Sequence, residues 1–358
     1  MPINYEPING QTDVATTRTL LHEVIPLTGT IVSGTYGTFP NDDNVKNYSH
    51  GQFQSVYDYP YLSSSANHIF DLTVGFDESS DYSGSSGTIQ EKKKINMYNQ
   101  MSQVLLGYTG SANTVRLFES DLKLDQTGSM KEVFFVNFSR LLTKDQIKKG
   151  SVSITLLTGA YDASTGVAGG TITYSDQGAS DTAGTLTTVG GDYGVLTSGT
   201  GASALTGGIV FYQAGIAILT ASAFSGSTYG PPTTFYSDGS TTFGTVADLL
   251  TGSAISGACD ALRQRIGNIQ FNNSTEINSK VYFCRAPHNK FNYSSNPTYL
   301  SGGSIRVKNN TRSNPPLAYI TTIGLYNSSN ELLAVAKLSE PLRKDPTNEL
   351  TLRVRLDY

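Results

Sequence analysis

The chain has 358 residues and a formal net charge of −4; charged residues make up only 15% of it, beside 36 glycines, 21 tyrosines and 15 phenylalanines. A chain of this size can bury about three quarters of its unfolded surface in one large or two smaller domains without help from metals or disulfides, and this composition favours turns and pleated strands over charged helices. The acidic balance excludes the global positive field on which sequence-independent nucleic-acid binding depends, and no segment has the roughly 18 to 20 uninterrupted apolar residues of a membrane span.

The opening Met1-Pro2-Ile3-Asn4-Tyr5-Glu6-Pro7 has neither the basic cluster nor the apolar core of a secretory signal. Two cysteines, Cys259 and Cys284, are too few for a disulfide framework and fit free thiols in a reducing cytoplasm.

From Leu20 to Phe76, apolar runs alternate with turn residues (Val24 to Leu27, Ile31 to Val32, then His68 to Val74 before Gly75), which predicts strands and loops. Tyr48, Phe53, Tyr57, Tyr59 and Tyr61 crowd a stretch where Pro60 forbids a helix. Such rings serve either as a contact surface or as packing at the edge of a core. Asp77 to Gly87 is a polar loop, and a helix is predicted near 91–107, where Ile95, Tyr98, Met101 and Leu105 recur at near-helical spacing before Gly107. Lys92, Lys93 and Lys94 sit at the start of that helix, against its macrodipole, and read as a solvated face or a contact for an acidic partner.

Val133 to Phe138 predicts a strand, and Thr143 with Gln146 a capping box for a short helix stopped by Gly150. Ser151 to Leu157 predicts a core strand and Ile209 to Phe224 a buried strand pair. Between them, residues 159–208 form a Gly, Ser, Thr and Ala tract with few large apolar side chains. It reads as an insertion projecting from the body, which would fold without residues 162–205. Cys259, Leu262, Ile266 and Ile269 share one face of a predicted helix near 258–270. Ala318 to Tyr326 and Glu331 to Leu338 flank Asn327-Ser328-Ser329-Asn330 as a hairpin. Leu350, Leu352, Val354 and Leu356 alternate with polar residues as a half-buried strand, so the C-terminus reads as a meander.

The expected fold is mainly β (α+β): an antiparallel β-sandwich-like body with two or three short helices and a Gly/Ser/Thr-rich projecting insertion. The predicted parts are an N-terminal half, 1–158, the insertion, 159–208, and a C-terminal half, 209–358.

No constellation for chemistry stands out. His22, His50, His68 and His288 are scattered, without the i, i+4 spacing of a helical metal site. Gly29 to Thr35 has the glycine spacing of a phosphate loop but not its lysine, and Ala204 replaces the third glycine after Gly199 and Gly201. Asp77, Glu78 and Asp81 lack the spacing and closing glutamate of a calcium loop, and two cysteines cannot supply a four-ligand zinc site. Catalytic, cofactor-binding and metal-ligating residues are therefore all assigned as none.

Several blocks carry a resemblance: KKKINMYNQMSQVLLGY (Lys92 to Tyr108), EVFFVNFSRLLTKDQIKKGSVSITL (Glu132 to Leu156), IVFYQAGIAILTASAF (Ile209 to Phe224), and FNYSSNPTYLSGG followed by LAYITTIGLYNSSNELLAVAKLSEPLRKD. They resemble a family of virion structural proteins of large contractile-tailed bacteriophages, including phages of marine bacteria. The resemblance implies a non-enzymatic tail, baseplate or fibre-attachment subunit, assembled in the host cytoplasm, with no cofactor and no direct nucleic-acid contact. Its partners would be other virion proteins and copies of itself, in a trimer or hexameric ring. A capsid- or neck-associated decoration protein and a receptor- or glycan-binding module are the alternatives. An irregular loop from Lys290 to Tyr299 joins the tyrosine-rich stretch as the expected subunit interface: Tyr57, Tyr59, Tyr61, Tyr293, Pro297 and Tyr299.

Overall fold

Strands dominate the computed structural model, as the β-branched and aromatic content predicts. It describes residues 5–28, 44–58, 68–84, 87–109, 114–162, 166–167, 169–180, 184–199, 204–225, 234–294, 300–301, 304–307, 311–313 and 317–358. In chain order the main elements are β1 (Val14–Thr28), β2 (Val45–Asn47), β3 (Gln54–Tyr57), β4 (His68–Phe76), α1 (Ile89–Leu105), β5 (Glu132–Phe138), α2 (Arg140–Thr143), β6 (Gln146–Ile147), β7 (Ser153–Leu157), β8 (Thr171–Ser175), β9 (Gly191–Ser198), β10 (Leu205–Phe211) and β11 (Ile216–Thr220). They are followed by α3 (Val246–Gly252), α4 (Ile255–Arg265), β12 (Ile266–Ala286), β13 (Ala318–Tyr326), β14 (Leu332–Lys344) and β15 (Leu350–Asp357). The chain divides into two compact units, one of residues 21–275 and the other of residues 1–20 with 276–358, rather than at 158 and 208.

In the larger unit the strand order is β2-β3-β4-β5-β11-β10-β9-β8-β7-β12, and the registered pairs are antiparallel. Alternation splits β5 between two cores: Phe134, Val136 and Phe138 join one with Phe70, Leu72, Val74, Ile154 and Leu219, while Val133 and Phe135 join another with Tyr98, Ile209, Phe211 and Ile218. The sheet curls around the first core, because Phe138 on β5 and Phe271 on β12 meet at 4.9 Å although their strands are not neighbours. Two helices close the same core through Leu249, Leu250, Ala258, Cys259 and Leu262.

The Gly/Ser/Thr tract is a correction to the sequence reading. It does not project: β8 pairs with β7 over five residues, and β9 pairs with β10. Ile172, Tyr174, Tyr193 and Leu196 are all buried. Its glycines serve neighbouring tyrosines, since a Cβ on Gly207 would lie 2.3 Å from the Tyr174 ring and one on Gly194 2.1 Å from the Tyr212 hydroxyl. Each of these two glycines leaves room for a ring from another segment, so few large residues suffice to fill the layer. Buried Asp176 ties the tract to the start of β7 by accepting from the N–H groups of Gly150 and Val152, both at 2.8 Å, and from the Tyr212 hydroxyl at 2.9 Å.

Three further expectations change. Thr143 ends the four-residue α2 instead of opening a helix, and Gln146–Ile147 pairs as a strand with Asn273 and Ser274 of β12. The predicted helix near 258–270 stops at Arg265, and Ile266 and Ile269 lie in β12 against Leu156 and Ile154. Arg265 holds that transition: its guanidinium donates to the carbonyls of Leu157, Gly159 and Phe235 and lies 4.1 Å from the centre of the Phe235 ring. At the C-terminus β13 and β14 pair with each other, but β15 pairs with Ser279–Ala286 of β12, so the three strands are not a meander.

Helix α1 forms as the spacing predicts and starts earlier, where Thr88 and Glu91 complete a capping box. The Leu106 and Gly107 N–H groups both reach the Ser102 carbonyl, and Gly107 takes a φ of 82° to end the helix. Lys94 is not on a wet face. It is 1% exposed, and its Nζ donates to the carbonyls of Leu250 at 2.5 Å and Ser253 at 2.7 Å, at the C-terminal end of α3. Orphan carbonyls and the negative end of the α3 dipole favour a cation there. Burial lowers the ammonium's pKa from 10.5 to about 8, opposed chiefly by the negative charge of Glu91.

Between pH 8 and 10.5 the unfolded chain therefore keeps a proton on Lys94 that the folded chain releases, and the Lys94 contribution to folded stability rises with pH across that window. Relative to a Lys94→Met variant, which cancels the opposite alkaline effect of the buried tyrosines, the wild type should gain on the order of 2 kcal/mol from pH 8 to 10. Urea midpoints over that range check it. A difference between the two proteins that does not change with pH would refute the assignment.

Candidate functional site

The sheet end formed by β2, β3 and β4 gathers the residues closest to reactive chemistry. Lys46 stands opposite Ser55, Ser55 opposite Asp71 and Asp71 opposite Asn137, so a polar row crosses four strands on one face. Ser55 Oγ donates to Asp71 Oδ1 at 2.5 Å, and His68 Nε2 lies 2.8 Å from the same oxygen. Tyr48 Oη is 3.3 Å from Ser55 Oγ and 3.5 Å from Tyr57 Oη. Burial and the adjoining Tyr48 hydroxyl push Tyr57 up to about 12, while hydrogen bonds from Ser55 and Tyr57 lower the Tyr48 pKa.

Serine, histidine and aspartate thus meet, but in the wrong order for nucleophilic catalysis. The histidine must take the serine's proton, whereas here both side chains converge on one carboxylate oxygen. Ser55 is also only 2% exposed. The arrangement can lock the register of β3 against β4; it does not generate an alkoxide. Among the described residues no group of three His, Cys, Asp or Glu side chains converges to hold a metal. Cys259 and Cys284 are free, and burial raises the pKa of both thiols.

Tyr57, expected at a subunit interface, is 7% exposed and packs its ring 5.3 Å from that of His68. It takes the core-edge role that the sequence left open. Tyr59, Tyr61, Pro297 and Tyr299 lie outside the described residues. Tyr293 is 52% exposed, in the smaller unit.

The smaller unit carries a second candidate, the ribbon of β13 and β14. Its turn forms because Asn327 Oδ1 accepts from the N–H groups of Ser329 and Glu331 while Asn330 adopts a φ of 63°, a conformation asparagine tolerates. One face holds the half-buried pairs Ile320 with Leu342 and Ile323 with Ala336, and ends at Leu325 opposite Ala334. The other face is open: Tyr319, Tyr326, Leu332 and Val335 are exposed, and the bulged Leu333 is 67% exposed. Tyr326 and Leu332 close over Gly324, where a Cβ would lie 2.8 Å from the Tyr326 ring and 3.3 Å from Leu332 Cδ1, and the ring of Tyr5 meets Tyr326 edge-on at 5.0 Å. At the base, buried Lys344 donates to Asn292 Oδ1 at 2.7 Å and to the Asp345 carbonyl at 2.9 Å, which ties the ribbon to the loop that carries Tyr293.

The sequence signal for this face was the Leu332-Leu333 pair, since two successive apolar residues on a strand cannot both point inward. The Ser55–Asp71–His68 cluster had no such signal, because it depends on the register of β3 against β4. No family model matches the chain, and no curated protein or solved structure matches it either.

Proposed function

We propose that the chain is a structural subunit of a tailed-phage virion, placed at the tail, baseplate or fibre attachment, and that it works by docking against other virion proteins or copies of itself. The observation that carries the reading is the exposed apolar face of the β13–β14 ribbon. A two-stranded ribbon gains little stability alone, and five large exposed side chains on it are best explained by a partner that covers them. The virion placement is supported by the resemblance of the blocks around Lys92, Glu132, Ile209 and Ala318 to virion structural proteins. The Ser55, His68 and Asp71 geometry, which leaves the serine without a base, supports a non-enzymatic role that needs no cofactor.

A Leu332→Asp/Leu333→Asp double variant tests the reading. Both side chains face solvent, so its melting temperature should stay within a few degrees of wild type. Wild type should sediment as a multiple of 38.3 kDa, consistent with a trimer or a sixfold ring, or enter particles, and the double variant should do neither. Incorporation of the variant into particles at the wild-type copy number would sink the proposal.

A further inference from the structure

The turn between β2 and β3 presents three rings packed on one another. Tyr48 stacks on His50 at 5.2 Å with 9° between the planes, Phe53 lies 4.8 Å from Tyr48, and Phe53 lies 4.9 Å from His50. His50 is exposed, and Tyr48 and Phe53 are half-buried. Several restraints hold the group rigid. The Gly51 N–H donates to the Tyr48 carbonyl at 2.9 Å with Gly51 at a φ of 60°, Lys93 Nζ of α1 donates to the His50 carbonyl at 2.9 Å, and the polar row beneath holds the Tyr48 hydroxyl. The Gln52 N–H donates to His50 Nδ1 at 3.1 Å, which leaves Nε2–H as the donor of the neutral ring.

Two cations flank the rings. Lys46 Nζ is 5.1 Å from the centre of the Tyr48 ring, and Lys93 Nζ sits at the His50 carbonyl. Neither is in an ion pair among the described residues. The nearby carboxylate, Asp71, is already engaged by Ser55 and His68. A pre-organised aromatic platform with an imidazole N–H and two ammonium groups that form no ion pair among the described residues is complementary to a ligand with an apolar ring face and a negative charge on its rim.

We propose that Tyr48, His50 and Phe53, with Lys46 and Lys93, form a binding site for an acidic saccharide, a sugar unit bearing a ring carboxylate. The sugar's C–H face lies on the exposed His50 ring, backed by Tyr48 and Phe53, and its carboxylate is held by Lys46 and Lys93. Two lysines are enough for one carboxylate per sugar but few for a run of phosphates, and the protein's net charge of −4 disfavours a nucleic acid. The site goes beyond the docking role and shares no residue with the β13–β14 ribbon.

The test uses the full-length protein titrated calorimetrically with two probes, oligogalacturonate and sialyllactose. Controls are methyl-esterified oligogalacturonate, poly-glutamate and a single-stranded oligonucleotide. At least one acidic sugar should bind and the neutral ester should bind roughly tenfold more weakly, as should His50→Ala and Lys46→Ala variants that melt like wild type. The Leu332→Asp/Leu333→Asp variant should bind like wild type, so loss of docking and loss of sugar binding are distinguishable. Absence of binding to both sugars, equal binding of the neutral ester, or equal binding of poly-glutamate or the oligonucleotide overturns the proposal.

Discussion

A chain lacking residues 162–205 is expected to show no cooperative melting transition. The excision removes β8 and β9, which lie between β7 and β10, and leaves each of those two strands with one hydrogen-bonded neighbour instead of two. Buried Ile172, Tyr174, Tyr193 and Leu196 go with them. At about 1.5 to 3 kcal/mol for each buried side chain, the loss is on the order of 6 to 12 kcal/mol, comparable with the whole stability of a typical domain, about 5 to 15 kcal/mol. The deletion also strips Asp176 from the N–H groups of Gly150 and Val152. Circular dichroism during a thermal ramp checks the outcome. A soluble deletion variant that melts sharply near the wild-type temperature would show that the tract is dispensable after all.

The second large effect is expected from one side chain. Gly75 lies within β4, and α1 crosses it so closely that a Cβ there would lie 2.7 Å from the Tyr98 amide nitrogen and 2.8 Å from the Lys94 carbonyl oxygen. Both obstacles are helix backbone, which cannot rotate away as a side chain would. Gly75→Val should therefore push α1 off the sheet, displace buried Tyr98 and Lys94 together, and cost on the order of 3 kcal/mol or more. Gly10→Ala is the control, since nothing lies within 4 Å of its Cβ position and its φ is unremarkable. A denaturant midpoint for Gly75→Val equal to that of the control would contradict the close-packing account.

Local patterns in this chain were readable and long-range ones were not. The alternation in β15, the hairpin around Asn327 to Asn330, the β10–β11 pair and helix α1 depend on neighbours a few residues away, and each forms where its pattern lies. The Gly/Ser/Thr tract misled because the value of Gly207 and Gly194 resides in Tyr174 and Tyr212, residues of other segments that fill the space the glycines leave. Thr143 and Gln146 satisfied a capping pattern locally, but pairing with Asn273 and Ser274 prevailed. Ile266 and Ile269 kept the helical spacing by coincidence, since both also lie opposite buried β7 residues in the strand register.

The same distinction governs the sites. The crowding of tyrosines near Tyr57 was visible, but which rings face outward was not. Tyr57 turns into the polar row beneath the sheet end, whereas Tyr48, three residues from Gly51, remains half-exposed on the turn. The scattered histidines also concealed a pattern: His50 and His68 belong to one connected set of rings and hydrogen bonds through Tyr48 and Tyr57.

Because Val74 faces Phe134, Ile154 faces Ile269 and Phe138 rests on Phe271, the principal core is stitched from segments made at very different times during translation. Such non-local pairing slows closure, since loop entropy must be spent before distant strands reward it. The nascent VFFVNF segment can pair with β4, which is already made, but Phe138 gains its contact with Phe271 only after more than a hundred further residues have been synthesised. Apolar surface left open during that interval is prone to aggregate, which is the cost of building one core from distant parts of a chain.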